Sequence, residues 1–324
     1  MVGAGAIGTA LAGRLHAAGH DVSVLARGAR RDFIADHGLS LTEAGASFTF
    51  HPALAELEDL AIRDLVIVAV KSGSLQALLP QLAHAMRPDA LLMPAINGLP
   101  WWYFLGEDGS LDGRSVRAVD RTGELGKLFN PERLIGCVLY SRATMLPTGA
   151  VAVSGQDLHL GAIAGDPPLA AIAAQFEAAG ISVTVEADIR RAMWRKLVRN
   201  AATNVVSALT DATMEQMGQD IEVTRVITDI ALEVAGLAAR VGRAVDPDLE
   251  EMVGVLKTAG PFATSMLQDV RSGREPELDA IADAPLELAD LLGHEMPTLR
   301  TTVALLRLSM RMRRAAIRGN PAQI

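Results

Sequence analysis

The 324-residue chain is poor in cysteine, in large aromatic side chains and in long apolar runs. Its one cysteine, Cys137, excludes an intramolecular disulfide framework and suits a reducing compartment. No apolar run approaches the ~20 residues that a membrane helix needs, and the N-terminus lacks the charged and apolar regions of a secretory signal. We therefore expect a cytoplasmic globular protein without a membrane partner.

The chain also lacks an excess of positive charge. It has 30 basic and 38 acidic residues, so its formal net charge is −8. Nucleic-acid-binding proteins usually carry a basic face, so nucleic acid is not expected among the partners. The histidines show no H-x-H or H-E-x-x-H spacing, so we expect no metal site. These exclusions leave a small-molecule function for a chain that is long enough for two domains.

The pattern of apolar residues divides the chain into two halves. Up to residue 186, short β-branched runs such as "LVIVAV" alternate with helical patterns, which is typical of a doubly wound parallel α/β sheet. From residue 187 onward the apolar positions have helical spacing. We predict an α/β Rossmann domain over residues 1–186 and an all-α domain over residues 187–324. A cleft between two such domains is a usual place for a small-molecule site.

The segment "SLTEAGASFTFH" predicts a small hairpin. After about residue 130, three predicted strands follow one another more closely than in a βα alternation, namely "RLIGCVLYSRAT", "GAVAVSG" and "DLHLG".

The segment "GAGAIG" at residues 3–8 has the G-x-G-x-x-G spacing of a dinucleotide-binding loop. Gly3 permits a tight turn, Gly5 lets the backbone approach a pyrophosphate, and Gly8 lets the following helix pack closely. A turn made of small residues is the alternative interpretation. A buried strand of ~5–6 residues normally precedes such a loop, whereas here only two residues do. We therefore expect the native protein to begin several residues upstream.

The end of the next predicted strand indicates the type of cofactor. The strand "HDVSVLAR" ends at Arg27, and Arg30 and Arg31 follow before the first carboxylate, Asp32. An acidic residue at this place binds the ribose 2′-hydroxyl of NAD, whereas an arginine accommodates the 2′-phosphate of NADP. The pattern favours NADPH, and a solvated basic loop is the alternative.

Two further predicted strands end in polar residues. Lys71 follows "VIVAV", and Asn97 and Gly98 follow "LLMPAI". Ligands of an open α/β sheet bind outside the carboxyl ends of its strands, so both positions are candidate ligand contacts. A solvated lysine is the alternative for Lys71.

The helical half contains the most specific pattern, "WRKLVRNAATN". It places Lys196, Asn200 and Asn204 at i, i+4 and i+8, on one face of a largely apolar helix. Such a face is suited to a ligand, although asparagines that cap a break in the helix and a solvated lysine are the alternative. Further candidates are Ser265, in "TSMLQD", and Glu277, in "EPELDAI".

In their order along the chain, these motifs resemble those of the ketopantoate reductase (2-dehydropantoate 2-reductase) family, and the likeness covers nearly the whole chain. The resemblance implies a Rossmann domain followed by a 6-phosphogluconate-dehydrogenase-like helical domain for substrate binding and dimerisation. It implies that NADPH reduces a branched 2-oxo acid, 2-dehydropantoate, to pantoate in pantothenate biosynthesis. A homodimer is compatible with it.

The resemblance also implies roles for single residues. Lys196 matches the general acid, which agrees with the chemistry because hydride delivery to a ketone leaves negative charge on oxygen. The positions that match substrate-binding residues are Asn97, Asn200, Asn204 and Ser265. The positions that match cofactor-binding residues are Gly3, Ala4, Gly5, Ala6, Ile7, Gly8, Arg27, Lys71, Asn97, Ala143 and Glu277.

The sequence departs from the family pattern at three places. Val205 stands where the helix motif usually has a proline, and Met214 stands near the place of a further substrate-contacting asparagine. A longer segment between Gly98 and Arg133 contains "PWWYF", whose aromatic residues could line the pocket, form a dimer contact or pack in the core. A paralogue that reduces another 2-oxo acid and a non-catalytic NADPH sensor are therefore alternatives.

Overall fold

The computed structural model describes residues 1–107 and 109–319, which separate into two compact units. One unit is formed by Met1–Ser115 with Asp120–Ala192, and the other by Val116–Val119 with the chain from Met193 onward. Every strand of the described residues lies in the first unit. The predicted fold class, an α/β Rossmann domain followed by an all-α domain, is confirmed. The boundary after residue 186 and the roles assigned to the two halves stay predictions.

The first unit contains nine strands and four α-helices in its described residues. The strands are β1 (Ser23–Val24), β2 (Leu39–Glu43), β3 (Ala46–Phe50), β4 (Ala53–Leu54), β5 (Leu65–Val68), β6 (Leu91–Pro94), β7 (Ile135–Met145), β8 (Val151–Ala162) and β9 (Ser182–Val185). The helices are α1 (Ala6–Ala17), α2 (Gly28–His37), α3 (Leu75–Ala85) and α4 (Leu169–Ala178).

The first residues of the chain lie at the centre of a parallel sheet. Val2 bridges Leu25, just after β1, on one side and Val68 of β5 on the other. β1 also pairs with β4, β5 pairs with β6, and Leu92 of β6 bridges Leu134, all in parallel. The spatial order β4, β1, Val2, β5, β6, Leu134 is that of a doubly wound dinucleotide-binding sheet. Its topological switch point lies between Val2 and β5.

A second sheet has the order β3-β2-β8-β7, with β9 beside β8. The predicted hairpin is confirmed, because β2 and β3 pair antiparallel from Leu39–Phe50 to Glu43–Ala46. The prediction of two strands at "GAVAVSG" and "DLHLG" is wrong, because β8 is one strand from Val151 to Ala162. Gly155 has a φ of +83°, so the chain turns locally without leaving the sheet.

Helix α1 packs against apolar side chains from both sheets. Leu11 of α1 belongs to one buried cluster with Met93 of the parallel sheet and with Cys137 and Leu158 of the second sheet. Burial of one such side chain stabilises the fold by ~1.5–3 kcal/mol. The position of the helix is therefore fixed by packing. Cys137 lies in this cluster and is 5% exposed, so it is a core residue.

The aromatic segment "PWWYF" is buried. Trp101, Trp102 and Tyr103 are 2–3% exposed. The Nε of Arg190 donates to the Tyr103 carbonyl at 2.8 Å, and its guanidinium lies 5.9 Å from a ring centroid of Trp102. Of the three interpretations of these side chains, packing in the core agrees best with this burial.

The second unit consists of helices with defined ends. They are α5 (Ile189–Thr210), which begins in the first unit, α6 (Met214–Gln219), α7 (Ile221–Arg240), α8 (Leu249–Thr258), α9 (Ser265–Arg271), a π-helix (Asp279–Asp283), α10 (Ala284–Leu292) and α11 (Pro297–Gly319). Asp220 caps α7, because its carboxylate accepts hydrogen bonds from the Glu222 and Val223 amides at 2.9 and 3.0 Å. In residues 1–107 and 109–319, no helix is both long and apolar enough to cross a membrane.

Candidate functional site

The three glycines of the loop at residues 3–8 have three different environments. Gly3 has a φ of +96°, and a Cβ there would lie 2.7 Å from the Ala69 carbonyl oxygen. A Cβ on Gly8 would lie only 2.0 Å from the carbonyl oxygen of Gly3. A Cβ on Gly5 would meet nothing within 4 Å. Packing therefore requires glycine at the first and third positions, whereas the backbone at Gly5 is open to a ligand.

The N-terminus of α1 follows directly on this open backbone. Gly5 is the N-cap of α1, no side chain caps the helix, and its first turn contains no acidic residue. The first N–H groups and the positive end of the helix dipole are thus available for an anion. An open backbone next to such a helix end fits the pyrophosphate of a dinucleotide, which supports the glycine-loop interpretation.

The arginines after β1 have different partners. Arg27 is exposed and makes no hydrogen bond or ion pair with the described part of the chain. Arg31 forms an ion pair with Glu56 at 2.6 Å. The Nε of Arg30 donates to the carbonyl of Ala4, inside the glycine loop, at 2.9 Å. Arg30 and Arg31 lie on α2, so the alternative of a basic loop is wrong for them.

Lys71 and Asn97 follow two neighbouring strands at the same edge of the sheet. β5 and β6 are parallel and in register from Leu65–Leu91 to Val68–Pro94. Lys71 and Asn97 come three residues after the ends of these strands, and both are half-buried. The contact of Gly3 with Ala69 places the glycine loop beside the segment that leads to Lys71. The structure thus brings these predicted residues together at the switch point.

Ala143 also lies close to the glycine loop. Ala143 of β7 and Ala6, the first residue of α1, both pack against the buried cluster that contains Ala10 and Val151. The predicted cofactor contact at Ala143 therefore lies beside the first turn of α1. Its role stays a prediction.

In the helical unit, α5 presents the predicted polar face. The helix is unbroken from Ile189 to Thr210, so asparagines that cap a break are excluded. Lys196 and Asn200 are half-buried, and Asn204 is 5% exposed. Side chains between them, such as Leu197 and Val198, are 1% exposed. An ammonium and two carboxamides therefore share one face of a helix whose other neighbours form the core.

The last two candidates lie on other elements of the helical unit. Ser265 is exposed and is the first residue of α9, which Thr264 caps by accepting a hydrogen bond from the Leu267 amide at 3.2 Å. Glu277 is half-buried and precedes the π-helix. π-helical turns are rare and frequently occur at functional sites. The sequence did not reveal this turn, because "DAIAD" has the apolar spacing of an ordinary α-helix.

Comparison with known proteins gives the family. Residues 1–165 match the model of ketopantoate reductase PanE/ApbA, and residues 188–309 match the model of its C-terminal domain. The chain belongs to the ketopantoate reductase family. It is 34% identical to a 2-dehydropantoate 2-reductase of Mesorhizobium japonicum over 95% of this chain and 96% of the relative. Family members are oxidoreductases that depend on a pyridine nucleotide, so the prediction of an oxidoreductase is confirmed.

Solved structures agree with this membership. A crystal structure from Ralstonia solanacearum MolK2, assigned to the ketopantoate reductases, superposes with a TM-score of 0.90 at 34% identity, over 96% of this chain and 97% of its own. A D-mandelate dehydrogenase solved with NADH and anilino(oxo)acetate has a TM-score of 0.81 at 20% identity, over 96% and 99% of the two chains. The second likeness shows a shared fold.

In the described residues there is no group of three or more His, Cys, Asp or Glu side chains that could hold a metal ion.

The different environments of Gly5 and Gly8 lead to a testable contrast. Gly5 has a φ of −73°, which alanine adopts easily, so Gly5→Ala should keep the fold. Its methyl group would occupy the open space at the helix end and should weaken dinucleotide binding by about tenfold, or ~1.4 kcal/mol. Gly8→Ala should instead destabilise the fold by ~1–3 kcal/mol because of overpacking.

Thermal unfolding and calorimetric titration with NADPH would measure both effects. Thr9→Ser, next to Gly8 and on the same helix, is the control and should bind normally. Normal binding by Gly5→Ala, or equal destabilisation by the two alanine substitutions, would contradict the assignment of Gly5 to the ligand.

Proposed function

We propose that this protein reduces 2-dehydropantoate to pantoate with NADPH. The observation that carries the proposal is the face of α5, where Lys196, Asn200 and the buried Asn204 lie among core side chains. Membership of the ketopantoate reductase family supports the reaction, and the open glycine loop supports the nucleotide. A non-catalytic sensor would not need the α5 face.

In the proposed reaction, Lys196 is the general acid. A reduced nicotinamide, when bound, would supply a hydride to the 2-oxo carbon, which would leave negative charge on the carbonyl oxygen. The Nζ ammonium of Lys196 stabilises this oxygen and transfers a proton to it. The apolar residues around it on α5, such as Leu197, exclude water and strengthen the interaction.

The polar neighbours of Lys196 bind the substrate in this proposal. Asn200, Asn204, Ser265 and Asn97 can bind carboxylate and hydroxyl groups without adding charge. The carboxamide of Asn200 makes no hydrogen bond within residues 1–107 and 109–319, so its donors and its acceptor remain for a ligand. Removal of such polar groups should therefore raise KM more than it lowers kcat.

The proposed cofactor is NADPH rather than NADH. Arg27 follows β1, at the place where NAD-binding enzymes have an acidic residue. It is exposed, and its positive charge suits a 2′-phosphate. The other proposed cofactor contacts are Gly3, Ala4, Gly5, Ala6, Ile7, Gly8, Lys71, Asn97, Ala143 and Glu277.

A related enzyme for another 2-oxo acid is the second candidate. Val205 is fully buried in the unbroken helix α5, at the place where the family motif usually has a proline that would interrupt helical hydrogen bonding. The amide of Met214 is held by the Phe262 carbonyl at 2.9 Å, and its side chain offers no hydrogen-bond donor. Both changes lie near the proposed substrate positions and could alter the preferred side chain of the acid.

Oxidation of NADPH with a panel of 2-oxo acids tests the function. We expect turnover with 2-dehydropantoate, and the panel should include 2-oxoisovalerate and phenylglyoxylate. Lys196→Met should lower kcat by about 100-fold or more, the usual effect of a lost general acid, and should leave the NADPH dissociation constant within about twofold.

The matched control for this test is Lys257→Met, which removes an exposed lysine on α8 and should leave kcat unchanged. Undiminished turnover in Lys196→Met would contradict the role of this lysine. Turnover of another acid alone would favour the second candidate, and no oxidation with any acid would contradict the function.

We also propose that the enzyme is a homodimer of the cytoplasm. Leu305, Leu308 and Met312 of α11 are 51%, 48% and 63% exposed, and their i, i+3, i+7 spacing forms one apolar stripe. Exposed apolar stripes of this kind usually mark an interface. The single, buried cysteine agrees with a reducing compartment.

Light scattering after gel filtration tests the assembly. The protein should have twice the chain mass of 34.2 kDa, and Leu308→Glu should shift it towards the monomer because it buries a charge in the interface. Ile62→Glu, at an exposed apolar position of the first unit, is the control. A monomeric wild-type protein, or a dimer that Leu308→Glu leaves intact, would contradict the proposed interface.

A further inference from the structure

Arg30 is a half-buried arginine beside the glycine loop without a carboxylate partner in the described residues. Three other arginines of the first unit are paired with carboxylates: Arg14 with Glu43, Arg31 with Glu56, and Arg63 with Asp21. A partly desolvated cation normally has an acidic partner, because its own hydration is incomplete. The environment of Arg30 is therefore unusual for this protein.

The guanidinium of Arg30 is nevertheless held in place. Its Nε donates to the Ala4 carbonyl at 2.9 Å, and its two terminal nitrogens lie 3.4 Å from the Thr9 hydroxyl and from the Gly149 carbonyl oxygen. The ring of Phe33 stacks at 5.1 Å from the guanidinium carbon. These contacts join the glycine loop, α1 and the turn between β7 and β8, and none of them carries a negative charge.

The energetic consequence is an uncompensated positive charge at the loop. Burial lowers the pKa of Arg30, which means that its surroundings disfavour the charged form. A guanidinium keeps its proton at physiological pH and has five N–H donors. Three contacts with protein oxygens leave donors for a further acceptor. An anion at this place would offset the cost of burying the charge.

The elements around Arg30 also favour an anion. Helix α2 begins after Arg27, and it has no side-chain cap and no acidic residue in its first turn. The same is true of α1, and Ala4 lies next to the open backbone at Gly5. Arg27 and Arg30 are three positions apart at the start of α2, so two arginines and the N-termini of α1 and α2 lie on the side of the glycine loop.

We propose that Arg30 is a second phosphate-binding residue of the dinucleotide site, which binds a phosphate oxygen of the cofactor and holds the glycine loop in place for it. The inference rests on the proposed function in one respect, which is that the ligand is a dinucleotide. A dinucleotide offers two sources of this chemistry, the pyrophosphate of either cofactor and the 2′-phosphate of NADPH alone.

Binding titrations of the full-length chain with NADPH and with NADH test the proposal. Arg30→Gln should weaken NADPH binding by about 10-fold to 100-fold, the effect of one charge-assisted hydrogen bond. Arg30→Lys keeps the positive charge but not the hydrogen-bond geometry of the guanidinium, so it should lose less affinity than Arg30→Gln does. Arg31→Gln removes an adjacent arginine that Glu56 already neutralises, and should bind as the wild type does.

The two cofactors identify the source of the phosphate. A loss confined to NADPH assigns Arg30 to the 2′-phosphate, and an equal loss for NADH assigns it to the pyrophosphate. Unchanged affinity of Arg30→Gln for both cofactors would overturn the proposal. Equal losses in Arg30→Lys and Arg30→Gln would also overturn it, because the arginine would then only support the loop.

These titrations use no 2-oxo acid, so they separate this inference from the proposed reaction. Wild-type protein that binds neither dinucleotide would contradict the proposed function and the inference together. Binding by the wild type with unchanged affinity in Arg30→Gln would contradict the inference alone. Thermal unfolding of each variant, expected within a few degrees of the wild type, shows that a loss of affinity does not come from unfolding.

Discussion

The close approach of three backbone segments, at Gly3, Gly8 and Ala69, is the constraint on which the rest of the proposed nucleotide site depends. A Cβ at Gly8 would lie 2.0 Å from the Gly3 carbonyl oxygen, and one at Gly3 would lie 2.7 Å from that of Ala69. Only glycine at both positions therefore allows α1 to start so soon after Val2, which lies at the centre of the parallel sheet. This start positions the uncapped helix end and the open backbone of Gly5 at the switch point of the sheet.

The helical unit contributes chemistry of a different kind. A long unbroken helix keeps Lys196, Asn200 and Asn204 in a fixed mutual arrangement, because side chains four residues apart lie one above the other. The buried leucines and valines of α5 fix the helix, while its polar face carries the groups that we propose bind and protonate a 2-oxo acid. Rigid support of this kind is what a general acid needs, since its position relative to the reacting oxygen determines its effect.

Much of the fold and of the candidate site could be predicted from the sequence, because the informative residues are close together in the chain. The glycine spacing, the hairpin at β2 and β3 and the polar face of α5 are all local patterns. The remaining features depend on distant contacts. The two predicted strands form one strand, β8, which pairs with β7 over most of its length. The central place of Val2 depends on both neighbouring strands, and the contact of Arg30 with Ala4 joins residues 26 positions apart.

Transfer of a deuteride tests the central claim most directly. NADPH deuterated at C4 of the nicotinamide ring, incubated with the protein and 2-dehydropantoate, should give a 2-hydroxy acid with one deuterium on the carbon that carried the oxo group, as seen by mass spectrometry. That result is expected if the glycine loop binds NADPH and the α5 face binds the acid. A reduced product without deuterium from NADPH carrying the label at either C4 position, or no reduced product, would contradict the account.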